Sequence, residues 1–264
     1  LGVELSFPPE QTCCGQPLFN NGFEDKTRPV AMNFIRAFAK SDVPIIGPSG
    51  SCVSMIRHHY PSLFKTGTPE HALAVDIASR TFEFTEYLVN VLKVTDVGAV
   101  YPHKVTYHAS CHYLREMGLK TEAKTLLNAV KGLEFISLIE EETCCGDPAR
   151  RMGDEYLFQT ICQGNIEIFK KYDVKKIVTT CPHCLTSLKK EYPQFGGNYE
   201  VIHHTQFIAD LISSGKLKNF LKTCGLKYDT IPNALEKLGL IRADKLLNAA
   251  DLCFARKPEQ LLPN

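Results

Sequence analysis

Short apolar runs closed by glycine, proline or cysteine alternate along this chain with longer stretches of helical periodicity. Val43-Pro44-Ile45-Ile46 reads as a buried strand ending at Gly47-Pro48, and Cys52 to Tyr60 as a helix closed by Pro61. The same order of signals returns later. Lys176-Ile177-Val178-Thr179-Thr180 is a strand that runs into Cys181-Pro182-His183-Cys184, and Leu185 to Tyr192 is a helix closed by Pro193. A helical stretch precedes each of these strands, Arg28–Lys40 and Glu155–Tyr172. Lys104 to His108 is a further strand that delivers Cys111 just past its end, and a helix over Lys120–Val130 leads into a strand over Leu133–Ile139. Strands alternating with helices argue for α/β units with parallel sheets. In such sheets ligands bind beyond the carboxyl ends of the strands, which is where these cysteines fall.

The recurrence is an internal repeat. Thr12-Cys13-Cys14-Gly15-Gln16-Pro17 matches Thr143-Cys144-Cys145-Gly146-Asp147-Pro148 at an offset of 131 residues. Asp42-Val43 matches Asp173-Val174 at 131; Asn33 matches Asn165, Cys52 matches Cys184 and Tyr60-Pro61 matches Tyr192-Pro193 at 132. Gly2-Val3-Glu4 resembles Gly132-Leu133-Glu134 at 130. The expectation is two duplicated α/β units, pseudo-two-fold related, with parallel strands flanked by helices. The first spans 1–63 and the second 103–216. A helical linker over 64–102 joins them, with the pattern Pro69–Val91 capped by Thr68, and a helical tail over 217–264 holds the patterns Pro232–Leu238 and Ala243–Leu252. A first-unit counterpart of Cys111 would fall upstream of Leu1, so the first unit reads as N-terminally incomplete.

Composition narrows the class. Hydrophobic residues make up 44% and charged residues 22% of 264, as in a globular protein, and the formal charge of +1 provides no electrostatic footprint for nucleic acid. No apolar run approaches the roughly 18–20 residues of a membrane span, and no signal-peptide pattern is visible. The reading is a cytoplasmic protein, associated with a membrane only through partners. Eleven cysteines, an odd number in a long chain, argue against a secreted disulfide scaffold. Adjacent cysteines and a CxxC point to metal or redox chemistry.

The second unit carries Cys111, then Cys144-Cys145-Gly146 after 32 residues, then Cys181-x-x-Cys184 after 35 more. Five thiolates from three loops suit one soft metal centre. A CxxC at a helix start directs two sulfurs at one site and favours thiolate over thiol. Two adjacent cysteines cannot both face one small ion without strain, but can grip a cluster through different irons. Gly146 allows positive φ after the pair. The competing reading is structural zinc, for which four of the five thiolates suffice. In the first unit Cys13, Cys14 and Cys52 remain, with Ser49 where the second copy has Cys181. That site reads as zinc, a differently ligated cluster, or a pair of buried thiols left from duplication.

The pattern C–x32–CCG–x35–CPHC resembles the cysteine-rich CCG domain family over roughly residues 1–215. Its members include the catalytic chain of heterodisulfide reductases, the lactate-utilisation iron–sulfur protein and one of the chains of anaerobic glycerol-3-phosphate dehydrogenase. Cys-Cys-Gly-Gln-Pro and Pro-Ser-Gly-Ser-Cys look most like the lactate-utilisation branch. Cys-Cys-Gly-Asp-Pro-Ala-Arg-Arg and Thr-Thr-Cys-Pro-His-Cys look more like the heterodisulfide-reductase branch. The resemblance implies an iron–sulfur oxidoreductase subunit with a 4Fe–4S cluster, noncubane in some members, held by Cys111, Cys144, Cys145, Cys181 and Cys184. It implies a second cluster or zinc at Cys13, Cys14 and Cys52. Electrons would pass between a flavoprotein or ferredoxin-type subunit and a small-molecule disulfide, quinone or hydroxy acid. A zinc-stabilised partner-docking scaffold is the alternative from another class.

The remaining polar and thiol residues have blander readings. Cys162, inside a helix, reads as a small buried hydrophobe. Cys224 and Cys253 lack spaced partners. His183 inside the CxxC, and His108 and His112 beside Cys111, read equally as hydrogen-bond donors to sulfur or as ordinary loop residues. His203-His204 read as exposed residues before a helix, and Arg150-Arg151 as a surface pair. No glycine-rich phosphate loop precedes a helix, so flavin or nicotinamide would bind elsewhere.

Overall fold

The computed structural model describes residues 5–138 and 141–213, with a short ribbon at 241–242 and 245–246. The first unit opens with α1 (Gln16–Asn20) and α2 (Glu24–Phe38). Strand β1 (Ile45–Gly47) then feeds α3 (Gly50–Ser54), which continues as a π-helical segment, Met55–His59, before Pro61 ends it. Helix α4 (Pro69–Ser79) is capped by Thr68, whose hydroxyl accepts from the His71 N–H at 3.3 Å. The expected helix over Pro69–Val91 is not continuous. β-branched and aromatic Thr81-Phe82 turn the chain into β2 (Thr81–Glu83), which pairs parallel with β1 in the register Ile46↔Phe82. A buried capping box between Glu83 and Glu86 restarts the helix as α5 (Phe84–Glu86), continued to Val91. Part of the 64–102 stretch is thus built into the first sheet.

The second unit is a four-stranded parallel sheet in the order β4-β3-β5-β6, formed by β3 (Lys104–His108), β4 (Glu134–Ser137), β5 (Lys176–Thr179) and β6 (Glu200–His203). Helices α6 (Glu122–Asn128), α7 (Asp147–Arg151), α8 (Glu155–Lys171), α9 (Pro182–Thr186) and α10 (His204–Ser213) cover it. Helix α9 continues as a π-helical segment, Ser187–Glu191, matching the one after α3. All the predicted strands and helices of the two units form, with ends shifted by a few residues. Gly47↔Glu83 closes the first sheet as Thr179↔His203 closes the β5–β6 pair. The fold is therefore α/β with parallel strands in both units, and β1 and β2 stand where β5 and β6 stand in the second.

Each unit has its own core. Ile35, Met55, Tyr60 and Ile77 fill the first, Phe158, Phe169, Ile177, Leu188 and Tyr192 the second. The units then meet closely. A Cβ at Gly50 would lie 2.9 Å from Tyr113 Cβ, and Thr85 Oγ1 and Tyr113 Oη are 2.9 Å apart. In the tail, Ile241–Arg242 and Lys245–Leu246 pair as an antiparallel ribbon, where the sequence pattern predicts a helix from Ala243. The pattern Pro232–Leu238, the rest of Ala243–Leu252, Cys224 and Cys253 lie outside the described residues.

Candidate metal centre

The five candidate ligand cysteines of the second unit sit where the chain leaves the same edge of the sheet. Cys111 lies just past β3, Cys144-Cys145 in the loop after β4, and Cys181 and Cys184 in the first turn of α9 after β5. Their sulfurs form an unbroken chain of contacts. Cys111 Sγ and Cys144 Sγ are 3.8 Å apart. Cys144 is within hydrogen-bond reach of Cys145, Cys145 of Cys184, and Cys184 of Cys181. Cys145, Cys181 and Cys184 are buried, while Cys111 and Cys144 are partly exposed.

The local sequence fixes this arrangement. Gly146 has φ +84° and its N–H donates to Cys144 Sγ at 3.4 Å. Only glycine takes that conformation without penalty. The Cys144 carbonyl accepts from Asn165 Nδ2 at 2.9 Å, and the Cys145 carbonyl from Ser187 Oγ at 3.1 Å and Tyr192 Oη at 3.2 Å. The dipeptide is thereby tied to α8 and to the helix after the CxxC. The first copy repeats the design. Gly15 has φ +82°, its N–H donates to Cys13 Sγ at 3.5 Å, and Tyr60 Oη donates to the Cys14 carbonyl at 2.9 Å. Cys14 lies within hydrogen-bond reach of Cys13 and Cys52. So Cys13, Cys14 and Cys52 are brought together, and Cys13 is exposed rather than part of a buried pair.

Ser49 occupies the structural place of Cys181: each is the extended N-cap residue of its helix. Ser49 Oγ accepts from the Cys52 N–H at 3.4 Å and lies 3.2 Å from Ser51 Oγ, which lies 3.5 Å from Cys181 Sγ in the other unit. The two sulfur sites therefore face each other across the junction. Cys52 feels the charge of Cys181, and Cys13 that of His183.

Protonation shows what the sulfurs need. Hydrogen bonds from Cys111 and Cys145, with the Gly146 N–H, hold Cys144 far below the usual thiol range. The hydrogen bond from Cys184, aided by Ser51, takes Cys181 down to about 5. Cys111, Cys145 and Cys184 are pushed up, first by hydrogen bonds with neighbouring cysteines, Cys144 for Cys111 and Cys145 and Cys145 for Cys184, and then by burial. In the first site the Cys14 contact takes Cys13 to about 6 and lowers Cys52, while Cys14 is pushed up. In the second site the shared hydrogen bonds thus favour the thiolate form at Cys144 and Cys181 over the other three. All five can ionise together only around a cationic core, because unpaired buried charge is prohibitive. The donor set also exceeds one small ion. Zinc–sulfur bonds of about 2.3 Å hold tetrahedral sulfurs about 3.8 Å apart. The donors that lie mutually within 4.8 Å, among the described residues, are those of His108, Cys145 and Cys184, and Cys111, Cys144 and Cys181 extend beyond that set. Five soft donors spread over three loops fit a multinuclear iron–sulfur core.

The other candidate residues divide. Cys162 is fully buried in the core, as expected. His183 is partly exposed and anchored, its Nδ1 3.1 Å from Asp147 Oδ2, which raises its pKa to about 9. His112 bridges the units: its Nδ1 is 3.5 Å from Cys111 Sγ and its Nε2 2.7 Å from Gln16 Nε2. His203 and His204 are buried, contrary to expectation. His203 ends β6 and His204 starts α10, and burial takes His203 down to about 4. Arg150 and Arg151 are ion-paired with Glu155, Asp147 and Glu191, and the Arg150 guanidinium lies 4.5 Å over the Phe158 ring. Ser51, Gln16, Asp147 and Glu142 are neighbours that sequence reasoning missed. Gln16 and Asp147 hold the same place in the two copies of the CCG segment; Ser51 and Glu142 carry no spacing signal.

Repeated cysteine loops on a parallel α/β frame define a class of cysteine-rich metal-binding domains, and the comparisons agree. The family model for the CCG cysteine-rich domain matches residues 1–57 and 105–189, and the chain belongs to that family. The chain is similar to Lactate utilization protein A of Exiguobacterium sp., 38% identical over 226 residues that cover 81% of this chain and 86% of the relative. It is 35% identical over 211 residues to Lactate utilization protein A 2 of Bacillus cereus, with 79% and 86% covered. It is 43% identical over 146 residues to Lactate utilization protein A of Oceanobacillus iheyensis, with 55% and 59% covered.

Proposed function

We propose that this chain is an iron–sulfur subunit of a lactate-utilisation-type oxidoreductase, with a 4Fe–4S cluster held by Cys111, Cys144, Cys145, Cys181 and Cys184. The observation that carries this reading is the unbroken sulfur chain from Cys111 to Cys181, drawn from three loops at one sheet edge. A cluster there supplies one-electron chemistry. The chain's own residues hold the sulfurs, exclude water and set the hydrogen bonds that tune them. Gly146 N–H and Ser51 Oγ each point a dipole at a thiolate, and Asp147 keeps His183 oriented beside the junction. The exposed side of Cys13, Cys111 and Cys144 leaves an open approach for a small hydroxy acid, disulfide or quinone, or for a partner redox protein. The names of the similar proteins favour the hydroxy-acid branch. Cys13, Cys14 and Cys52 form a second, three-thiol site for zinc or a further cluster.

Zinc at the second site is the competing reading, favoured by the compact His108, Cys145 and Cys184 group. Metal analysis and EPR on anaerobically purified protein decide between them. About four irons and four sulfides per second-site centre, with a paramagnetic state on oxidation or reduction, support the cluster. Stoichiometric zinc without iron refutes it and leaves a partner-docking scaffold.

A further inference from the structure

His108 is fully buried at the end of β3, three residues before Cys111. Its Nδ1 lies 2.9 Å from Glu142 Oε2, and Glu142 is itself buried. Its Nε2 is buried and has no hydrogen-bond partner among the described residues. A ring nitrogen of His108 lies within 4.8 Å of the sulfurs of Cys145 and Cys184, which lie within 4.8 Å of each other. A buried imidazole nitrogen with no partner is costly unless something fills its coordination. We propose that His108 Nε2 is a nitrogen ligand of the second centre, alongside the thiolates, and that Glu142 is the positioning residue that orients it. This deepens the reading of the same site and rests on it.

The chemistry of the pair selects ligation over a hydrogen bond to sulfur. A carboxylate accepting from Nδ1–H fixes the tautomer whose Nε2 carries a lone pair. It also raises the basicity of that lone pair and holds the ring plane, the usual outer partner of a metal-bound histidine. Burial reinforces this, because it seals the lone pair from bulk solvent. The protein backbone gives the ring little freedom. His108 is the last residue of a central strand, in register with Thr179 of β5, two residues before Cys181. Strand ends in adjacent positions thus bring a nitrogen and a sulfur to one edge.

Pulsed EPR on the anaerobic holoprotein tests the assignment. A strongly coupled nitrogen on the paramagnetic centre is expected. It should change its nuclear signature when histidine is labelled with 15N, vanish in His108→Ala, and persist in His112→Ala and His183→Ala. Glu142→Gln should alter the coupling without abolishing it, which covers the case in which His108→Ala fails to fold. A wild-type iron–sulfur signal without strongly coupled nitrogen, or a coupling that survives His108→Ala, overturns the assignment while leaving the iron–sulfur reading intact. A wild-type chain with zinc and no iron overturns the iron–sulfur reading instead. Cobalt(II) put in place of that zinc then gives the same nitrogen measurement, and its absence there overturns the role of His108 independently.

Discussion

The two CCG turns offer a matched pair of glycines whose substitution tests how the sulfur site is built. Gly146 and Gly15 have nearly the same backbone, φ +84° and +82°. Alanine at either position carries the left-handed penalty of about 1–2 kcal/mol. Their surroundings differ. A Cβ at Gly146 would lie 2.8 Å from Phe158 Cδ2 and 3.3 Å from Cε2, whereas at Gly15 the nearest atom is Thr27 Cγ2 at 3.2 Å. Phe158 is fully buried, with Tyr192 and Phe195 edge-on to its ring and Arg150 over its face, so it cannot move aside cheaply. Overpacking of that kind adds about 1–3 kcal/mol. Gly146→Ala is therefore expected to lose about 2–5 kcal/mol and Gly15→Ala about 1–2 kcal/mol. For a chain of this size each kcal/mol lowers the thermal midpoint by roughly 2–4 °C. Thermal unfolding at one scan rate under anaerobic conditions, with metal content measured on the same samples, reads both. Gly146→Ala should also lower iron occupancy, because the Gly146 N–H that holds Cys144 moves with the turn. Equal midpoints for the two variants would refute the reasoning, since the backbone term alone would then account for everything.

Glu83 should impose a pH dependence on stability. It is fully buried, and burial, against hydrogen bonds from Thr85 and the Glu86 N–H, pushes its carboxyl up to about 7 from an ordinary 4.5. The folded state therefore keeps a proton between these values that the unfolded chain has lost, so stability falls as pH rises from about 4.5 to about 7, by about 3 kcal/mol in all. Glu83→Gln should flatten that slope and be relatively more stable than the parent at pH 8, read by denaturant titration at several pH values; parallel curves would count against it. Ser51→Ala removes the hydroxyl that reaches across the units to Cys181 Sγ. Losing a donor to the thiolate should shift the second centre's reduction potential to more negative values while iron content stays unchanged, and an unaltered potential in anaerobic redox titration would show that the hydroxyl does not touch the ligated sulfur.

The sequence by itself determined a good deal. Period and punctuation located the strands β1, β3, β4 and β5 and the helices between them, because each is a local consequence of apolar spacing closed by proline, glycine or a cap. The repeat was legible because Thr12–Pro17 and Thr143–Pro148 need the same positive-φ turn, and Tyr60 and Tyr192 the same carbonyl to bond. The cysteine loops could be placed at one sheet edge because parallel strands leave their carboxyl ends together. Tertiary structure decided the rest. Strand β2 was hidden inside a helical pattern because its partner, β1, lies more than 30 residues earlier in the chain. His203 and His204 read as exposed until the packing of α10 on the sheet buried them. Ser49 looked like a lost ligand, and only the junction between the units places it in a hydrogen-bonded line through Ser51 to Cys181. The pairing of His108 with Glu142 likewise spans 34 residues and leaves no periodic trace. Periodicity reports which face of an element is buried, whereas the neighbours of a buried polar atom depend on how distant elements dock, and that information resides in no single stretch of chain.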